Sequence, residues 1–473
     1  MASDTPQMFN FTILTSTSPV LAPRLGRLSI AGRKSLSTPH YIPLTSRGMV
    51  PHLSHDVMSD STSIGSLYMG LEDFIEKQQT VKKSSLPIPL YAVPTAPHES
   101  ALRKFTCLPD DLLLILGPRR EPPIACPPTN TPTSIAIFTS VGFTQLEATQ
   151  YVEAIRRVRP DIVIGMADLV LGQPPGVKRR EKMVDRTHAY TTHATESLYE
   201  LDVPKDCRPN TAYFAPILPL DNAQQQIYLE DLETDIRPFI SGLALYESAS
   251  LSIVPESIGD LPRLLFGEPN TPHDVLREIS LGADLLTLPF LSVSSDAGRA
   301  LTFSFPAPSE LKMSSEPLPL ADNLWSTSYT SDIASLKTSC ACYTCQNHHR
   351  AYIHHLLSVK EMLAWTLLQI HNHHTMDTFF ANVRASIERG TFDEDVQIFT
   401  KTYAPEFPEA TGQGPRLRGY QLPASAASQP RRYAPAYGKL DVAAAKFAES
   451  QSSLATPDTD AEGLEEHGFA KKV

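Results

Sequence analysis

From about residue 134 to residue 290, short aliphatic or β-branched runs alternate with stretches whose apolar positions recur at helical spacing, the pattern of repeated βα units around a parallel sheet. The runs SIAIFT (134–139), DIVIGMA (161–167), TAYFAPIL (211–218), FISGLAL (239–245), RLLFG (263–267) and ADLLTL (283–288) predict strands. Between the first two, TQLEATQYVEAIRRV (144–158) sets Leu146, Tyr151, Ala154, Ile155 and Val158 on one face, which predicts a helix packed on the sheet. In TPHDVLREISLG (271–282), Thr271 suits the N-cap, Pro272 the first turn and Gly282 the stop. Six clear units, with the less regular candidates LPIPLYAV (86–93) and DLLLIL (111–116) ahead of them, favour an eight-fold (β/α) barrel over an open sheet.

Two segments break the alternation. Residues 118–133 are rich in proline and read as an extended surface loop. From about 404 to 473, Pro, Ala, Ser and Gln dominate, and large apolar residues are too few for a core, which predicts a mobile tail. Its basic clusters PRLRGY (415–420) and PRRYAPAYGK (430–439) could meet RNA phosphates, but a solvated linker is the plainer reading.

Composition narrows the class. With 41% apolar and 20% charged residues, the 473-residue chain has the make-up of a globular protein, which excludes disorder throughout. A formal charge of -11 argues against non-specific coating of nucleic acid, so any RNA contact must be local. The amino terminus lacks the basic-then-apolar order of a secretory signal, and no run approaches the ~18 apolar residues needed to span a bilayer. The expected location is cytoplasmic, with peripheral contact to a membrane such as the mitochondrial outer membrane left open.

The strongest chemical signal is the cysteine cluster CACYTC, because three thiols spaced CxCxxC can turn their sulfurs toward one point. Cys340, Cys342 and Cys345 would supply three thiolates to one Zn²⁺, and a histidine must complete the tetrahedron. A single straight helix from 349 to 371 would carry His371 roughly 33 Å away. A break at Ser358, capped with help from Glu361, instead gives two antiparallel helices, about 348–357 and 359–371, that bring His371 back beside the cysteines. A closed Cys₃His site is structural and has no vacancy, so His348, His349, His354, His355, His373 and His374 read as surface or neighbouring residues, and a zinc hydrolase is disfavoured.

At this point the chain resembles the tRNA-guanine and queuine tRNA-ribosyltransferases, which carry CxCxxC and a histidine spaced as Cys345 and His371 are here. The similarity continues through RAYIHHLLSVKEMLAWTLLQIHN and VRASIERGTF, and reaches PRLGRLS, STPHYIPLTSRGMVPHL, KRREKMVDRT, SGLAL and PRLLFGEPNTPHDVLREISLGADLL. The resemblance covers most of residues 9–395. It implies a (β/α)₈ TIM-like barrel with a Cys₃His zinc-binding helical subdomain at about 335–395. In the eukaryotic family a catalytic subunit pairs with an accessory one, and queuine replaces guanine at the wobble position of tRNA.

The family's nucleophile is an aspartate in a GxDxFD block, and the matching stretch here is GADLLTLPF, which puts Thr287 in its place. A neutral hydroxyl is a much poorer nucleophile than a carboxylate unless a base activates it. The family's TDSGGFQ and Gln-Gly-Gly segments are also absent, the latter replaced by PLDNAQQQ. The resemblance therefore implies a non-catalytic accessory subunit, forming a heterodimer with a catalytic sister and serving tRNA. Asp168 and Glu247 stand where catalytic members hold the base, as a possible vestigial pocket, although an ion-pair or capping role is the plainer reading. Lys178, Arg179, Arg180, Lys182 and Arg186 could meet RNA phosphates, with a solvated helix face as the plainer reading. The rival expectation is a self-sufficient base-exchange enzyme using Asp168, Asp284 or Glu247.

Overall fold

A computed structural model describes residues 9–15, 21–75, 80–81, 84–85, 88–96, 99–127, 129–139, 142–172, 174–199, 210–308 and 317–415. Eight parallel strands, His40–Ile42, Ser66–Gly70, Leu113–Gly117, Ile162–Ile164, Ala212–Ile217, Gly242–Leu245, Arg263–Leu265 and Leu285–Thr287, follow one another around a single sheet. The eighth pairs with the first. Between the first and second the ring nearly closes, with Leu44 bridging Tyr68 and the Tyr68 N–H donating to Pro43 O at 3.0 Å.

Helices α1 (His55–Ser61), α2 (Ala101–Thr106), α3 (Ala148–Val158), α4 (Val177–Tyr199), α5 (Asn222–Glu233), α6 (Pro272–Ser280) and α7 (Pro289–Asp296) lie between or just after the strands. After them come α8 (Tyr343–Asn347), α9 (Arg350–Ser358), α10 (Met362–Arg389) and α11 (Phe392–Thr402). The period-two alternation of the strands sorts the core. Leu113 and Ile115 join Ile42, Ile162, Ile164, Phe214, Leu264 and Leu285 inside the barrel, whereas Leu114 and Leu116 face the helices. The antiparallel sheet of Phe9–Ile13, Gly26–Ile30 and Leu36–Thr38 adds Leu28, Ile30 and Leu36 to the interior cluster and plugs the barrel's N-terminal end.

The barrel expectation holds, but its strand assignment needs correction. Ser134–Thr139 is no barrel strand: it pairs antiparallel with Gly142–Glu147 in a hairpin. All six of its residues are buried, so its apolar run looked like an interior strand, and periodicity cannot say which sheet such a run joins. The helix expected from 144 begins at Ala148, because Glu147 forms a capping box with Gln150. Within LPIPLYAV, Pro89–Ala92 is a 3-10 turn. The barrel's first two strands lie earlier, at His40–Ile42 and Ser66–Gly70.

The helix break before His371 falls at Ser358 as expected, but it is capped differently and the second helix starts at Met362. Ser358 closes α9 by donating its hydroxyl to His354 O at 2.9 Å, Lys360 turns the chain at φ 58°, and Glu361 is the N-cap of α10 without a side-chain bond. The start of the expected tail, 404–415, lies on the body: Ala404 N–H donates to Leu318 O at 2.8 Å, and Asn323 Nδ2 donates to Glu409 O at 2.9 Å. Gly412 is needed there, since a Cβ would sit 2.0 Å from the Trp325 ring. Residues 416–473, with most of both basic clusters, lie outside the described residues.

Candidate metal centre and barrel mouth

The CxCxxC loop is shaped by its own backbone. Cys342 is the N-cap of α8, and its sulfur accepts the Cys345 N–H at 3.3 Å, so two sulfurs converge on one side of a single turn. Thr344 donates to Leu367 O at 2.7 Å and ties that turn to α10, the helix that carries His371. His371 is fully buried, and its Nε2–H donates to Leu301 O at 2.9 Å, which fixes the tautomer and leaves Nδ1 facing the cysteines.

The ligand atoms of Cys340, Cys342, Cys345 and His371 all lie within 4.8 Å of one another. His371 Nδ1 is 3.7, 3.5 and 3.3 Å from the sulfurs of Cys340, Cys342 and Cys345. A tetrahedral ion with metal–sulfur bonds of about 2.3 Å and metal–nitrogen bonds of about 2.05 Å sets that edge at about 3.6 Å. The donor set therefore fits, and the cluster could hold a metal ion. Burial disfavours charge on His371, but Cys340 and Cys345 outweigh it and raise its pKa to about 9, so a metal must displace protons to enter. Three thiolates around a divalent ion leave one net negative charge, and Lys337 stands beside it. Burial lowers the Lys337 pKa while Cys340 and Cys345 support its charge, and its ammonium donates to Phe303 O at 2.6 Å.

Of the other histidines, His373 faces the barrel, 2.9 Å from Tyr41 Oη, and His349 N-caps α9 by accepting the Tyr352 N–H. Burial lowers the His373 pKa to about 3, so it is neutral near pH 7.

At the C-terminal ends of the barrel strands, where barrels of this class place their chemistry, the carboxylates are occupied or alone. Asp168 is buried; Arg179 grips it at 2.5 and 2.7 Å, Arg186 reaches it at 3.1 Å and Asn130 donates at 2.5 Å. Burial would raise its pKa, but these hydrogen bonds outweigh it and hold the carboxyl below the usual range. Glu247, after the sixth strand, is exposed. Thr287 is fully buried and its hydroxyl has no hydrogen-bond partner among the described residues. Asp284 lies at the other end of the eighth strand, bound by Arg24 at 2.5 and 2.9 Å and by the Arg263 N–H at 2.8 Å.

Sequence reasoning missed Arg24, although it sits in the PRLGRLS block, and it missed Glu121, whose proline neighbours had suggested only a surface loop. The cavity left at the barrel mouth, lined by Tyr68, Tyr246, Phe266 and Glu121 among others, measures about 30 Å³.

An eight-stranded parallel barrel, followed by helices that gather a Cys₃His cluster able to hold a metal ion, defines a (β/α) barrel with a candidate metal centre. The family described as queuine tRNA-ribosyltransferase matches residues 21–405. The chain is 35% identical to queuine tRNA-ribosyltransferase accessory subunit 2 of Schizosaccharomyces pombe, over 82% of this chain and 83% of that one. It is 28% identical to the protein of the same name in Anopheles gambiae (78% and 86%) and 27% identical to that of Xenopus tropicalis (80% and 96%). The chain belongs to the queuine tRNA-ribosyltransferase family. Among the described residues no helix is long and apolar enough to cross a membrane.

Proposed function

We propose that this chain is the non-catalytic subunit of a heterodimeric queuine tRNA-ribosyltransferase, supporting the exchange of guanine for queuine at the anticodon wobble position of tRNA in the cytoplasm. One structural Zn²⁺ sits on Cys340, Cys342, Cys345 and His371. The observation that carries this reading is the pairing of a family match over 21–405 with a mouth that lacks a free carboxylate at the nucleophile's place, where Thr287 stands. Asp168 and Glu247 are remnants of a base pocket, Asp168 now serving as an ion-pair hub. A self-sufficient enzyme would need a relocated carboxylate, but Asp284 is spent on Arg24 at the far end of the barrel and Asp168 on two arginines.

The partner docks on the zinc-bearing face. There the turn between α9 and α10 exposes Val359, Met362 and Leu363 beside the exposed His355 and Lys360, and Tyr343 on α8 is 47% exposed. For tRNA phosphates, Lys178 and Lys182 on α4 stay exposed, whereas Arg179 and Arg186 are turned inward to Asp168 and Arg180 donates to Pro175 O.

Met362→Asp, which sets a charge into this patch, is expected to weaken association with the catalytic subunit at least tenfold while leaving melting temperature and metal content unchanged. Calorimetric titration of the two purified subunits measures it. An unchanged Kd would remove this face from the interface.

A further inference from the structure

The barrel mouth is closed by the chain itself. On leaving the third strand, residues 118–123 cross the strand ends and are pinned at each step. Tyr68 Oη donates to Arg119 O at 2.6 Å, and the Arg119 guanidinium donates to Ala136 O at 2.9 and 3.2 Å. Arg120 donates through its backbone N–H and its Nε to Glu72 Oε1 at 2.8 and 3.0 Å, and Glu72 Oε2 accepts the Phe138 N–H at 2.8 Å. The crossing is so close that a Cβ on Gly70 would lie 2.5 Å from the Arg120 nitrogen.

This strap delivers the Glu121 side chain among three aromatic rings. Tyr246 and Phe266 stack at 5.5 Å and 18°, and Tyr68 meets Phe266 edge-on at 5.4 Å. The remaining space of about 30 Å³ is far below the ~300–1,000 Å³ of a small-molecule pocket. Glu121 Oε1 is sealed from solvent and has no hydrogen-bond partner among the described residues. Burial, with Glu268 adding like charge, pushes the Glu121 carboxyl well above the usual range. Arg119, which lies near Tyr246, spends its guanidinium on Ala136 O.

We propose that Glu121 is an internal occupant of the mouth: the strap seats its side chain in the pocket that Tyr68, Tyr246 and Phe266 line, where a planar heterocyclic base would otherwise stack on an aromatic ring, and so keeps this subunit from competing for the base. The inference rests on the accessory-subunit reading above for the chemistry of the excluded ligand. A mouth walled by Tyr68, Tyr246 and Phe266 suits a flat base better than a sugar, because a base can stack one face on an aromatic ring. The tenant is also mounted on a strap held from both sides rather than on a free loop.

The test titrates the full-length protein into 2-aminopurine and follows the quenching of its fluorescence on aromatic stacking. Wild type is expected to show no saturable quenching up to 1 mM on the order of ordinary weak affinities, and Glu121→Gly to bind at least tenfold more tightly. Glu121→Gln, which keeps the shape, should stay closed. Gly70→Ala opens the mouth independently, because its methyl collides with Arg120 and lifts the strap. Saturable binding by wild type equal to that of Glu121→Gly overturns the proposal, as does absence of binding in both Glu121→Gly and Gly70→Ala when their melting remains cooperative. None of these outcomes involves base exchange in tRNA, so failure here leaves the accessory role standing, and exchange by the isolated wild type would remove that role separately.

Discussion

Cys342→Ser is expected to purify without metal, with its carboxy-terminal helices melting ahead of the barrel. Cys342 does two things at once: it offers a thiolate to the metal, and it caps α8 by accepting the Cys345 N–H. A serine hydroxyl can keep the cap but is a poor fourth ligand beside two thiolates and an imidazole. The free energy of a structural zinc site is folding free energy, and the loss here is on the order of 5 kcal/mol, since α9 and α10 retain their own core around Trp365, Leu357 and Leu368. At roughly 2 °C per kcal/mol, that lowers Tm by about 10 °C. Metal analysis should fall from one zinc per chain to none, and a strong chelator should impose the same Tm on wild type. A Cys342→Ser protein that retains one equivalent of zinc, or that melts with wild type, would remove the closed Cys₃His site.

Asp284→Asn is the second large loss, and it separates a structural carboxylate from a relocated nucleophile. Asp284 is fully buried, accepts two hydrogen bonds from Arg24 and one from the Arg263 backbone, and lies where the amino-terminal sheet plugs the barrel. Neutralising it strands the Arg24 charge beside Arg263, at a cost of about 3–5 kcal/mol. Thermal unfolding should show a drop of about 6–10 °C. The exposed Glu247→Gln should stay within about 0.5 kcal/mol of wild type. With the partner present, correctly folded Asp284→Asn should still support exchange. Normal stability combined with abolished exchange would mean that the carboxylate acts on substrate.

The sequence disclosed most where local chemistry determines geometry. Three cysteines at CxCxxC need a fourth ligand, and the distance limit on a straight helix required a break before His371. The break exists, but its detail turns on the left-handed Lys360, a residue type with no strong preference for that conformation, so Ser358 and Glu361 looked like the better cap. Later barrel strands such as Ala212–Ile217 were legible as continuous apolar runs between helical stretches. His40–Ile42 was not, since three residues are too short to show a period, and Ser134–Thr139 misled because burial alone does not assign a partner strand. The tertiary use of Glu121 was out of reach for the same reason. Proline neighbours mark an extended segment, but only the Arg120–Glu72 ion pair and the close pass over Gly70 decide that it crosses the mouth.

The most direct measurement is exchange of labelled guanine in a wobble-guanosine tRNA, run with the purified chain alone and then with the catalytic subunit added. No incorporation alone and steady incorporation in the mixture is the expected result for an accessory subunit whose mouth is closed and whose nucleophile position is Thr287. Incorporation by the chain alone, lost on replacing Asp168 or Glu247, would contradict it and make this barrel an enzyme in its own right.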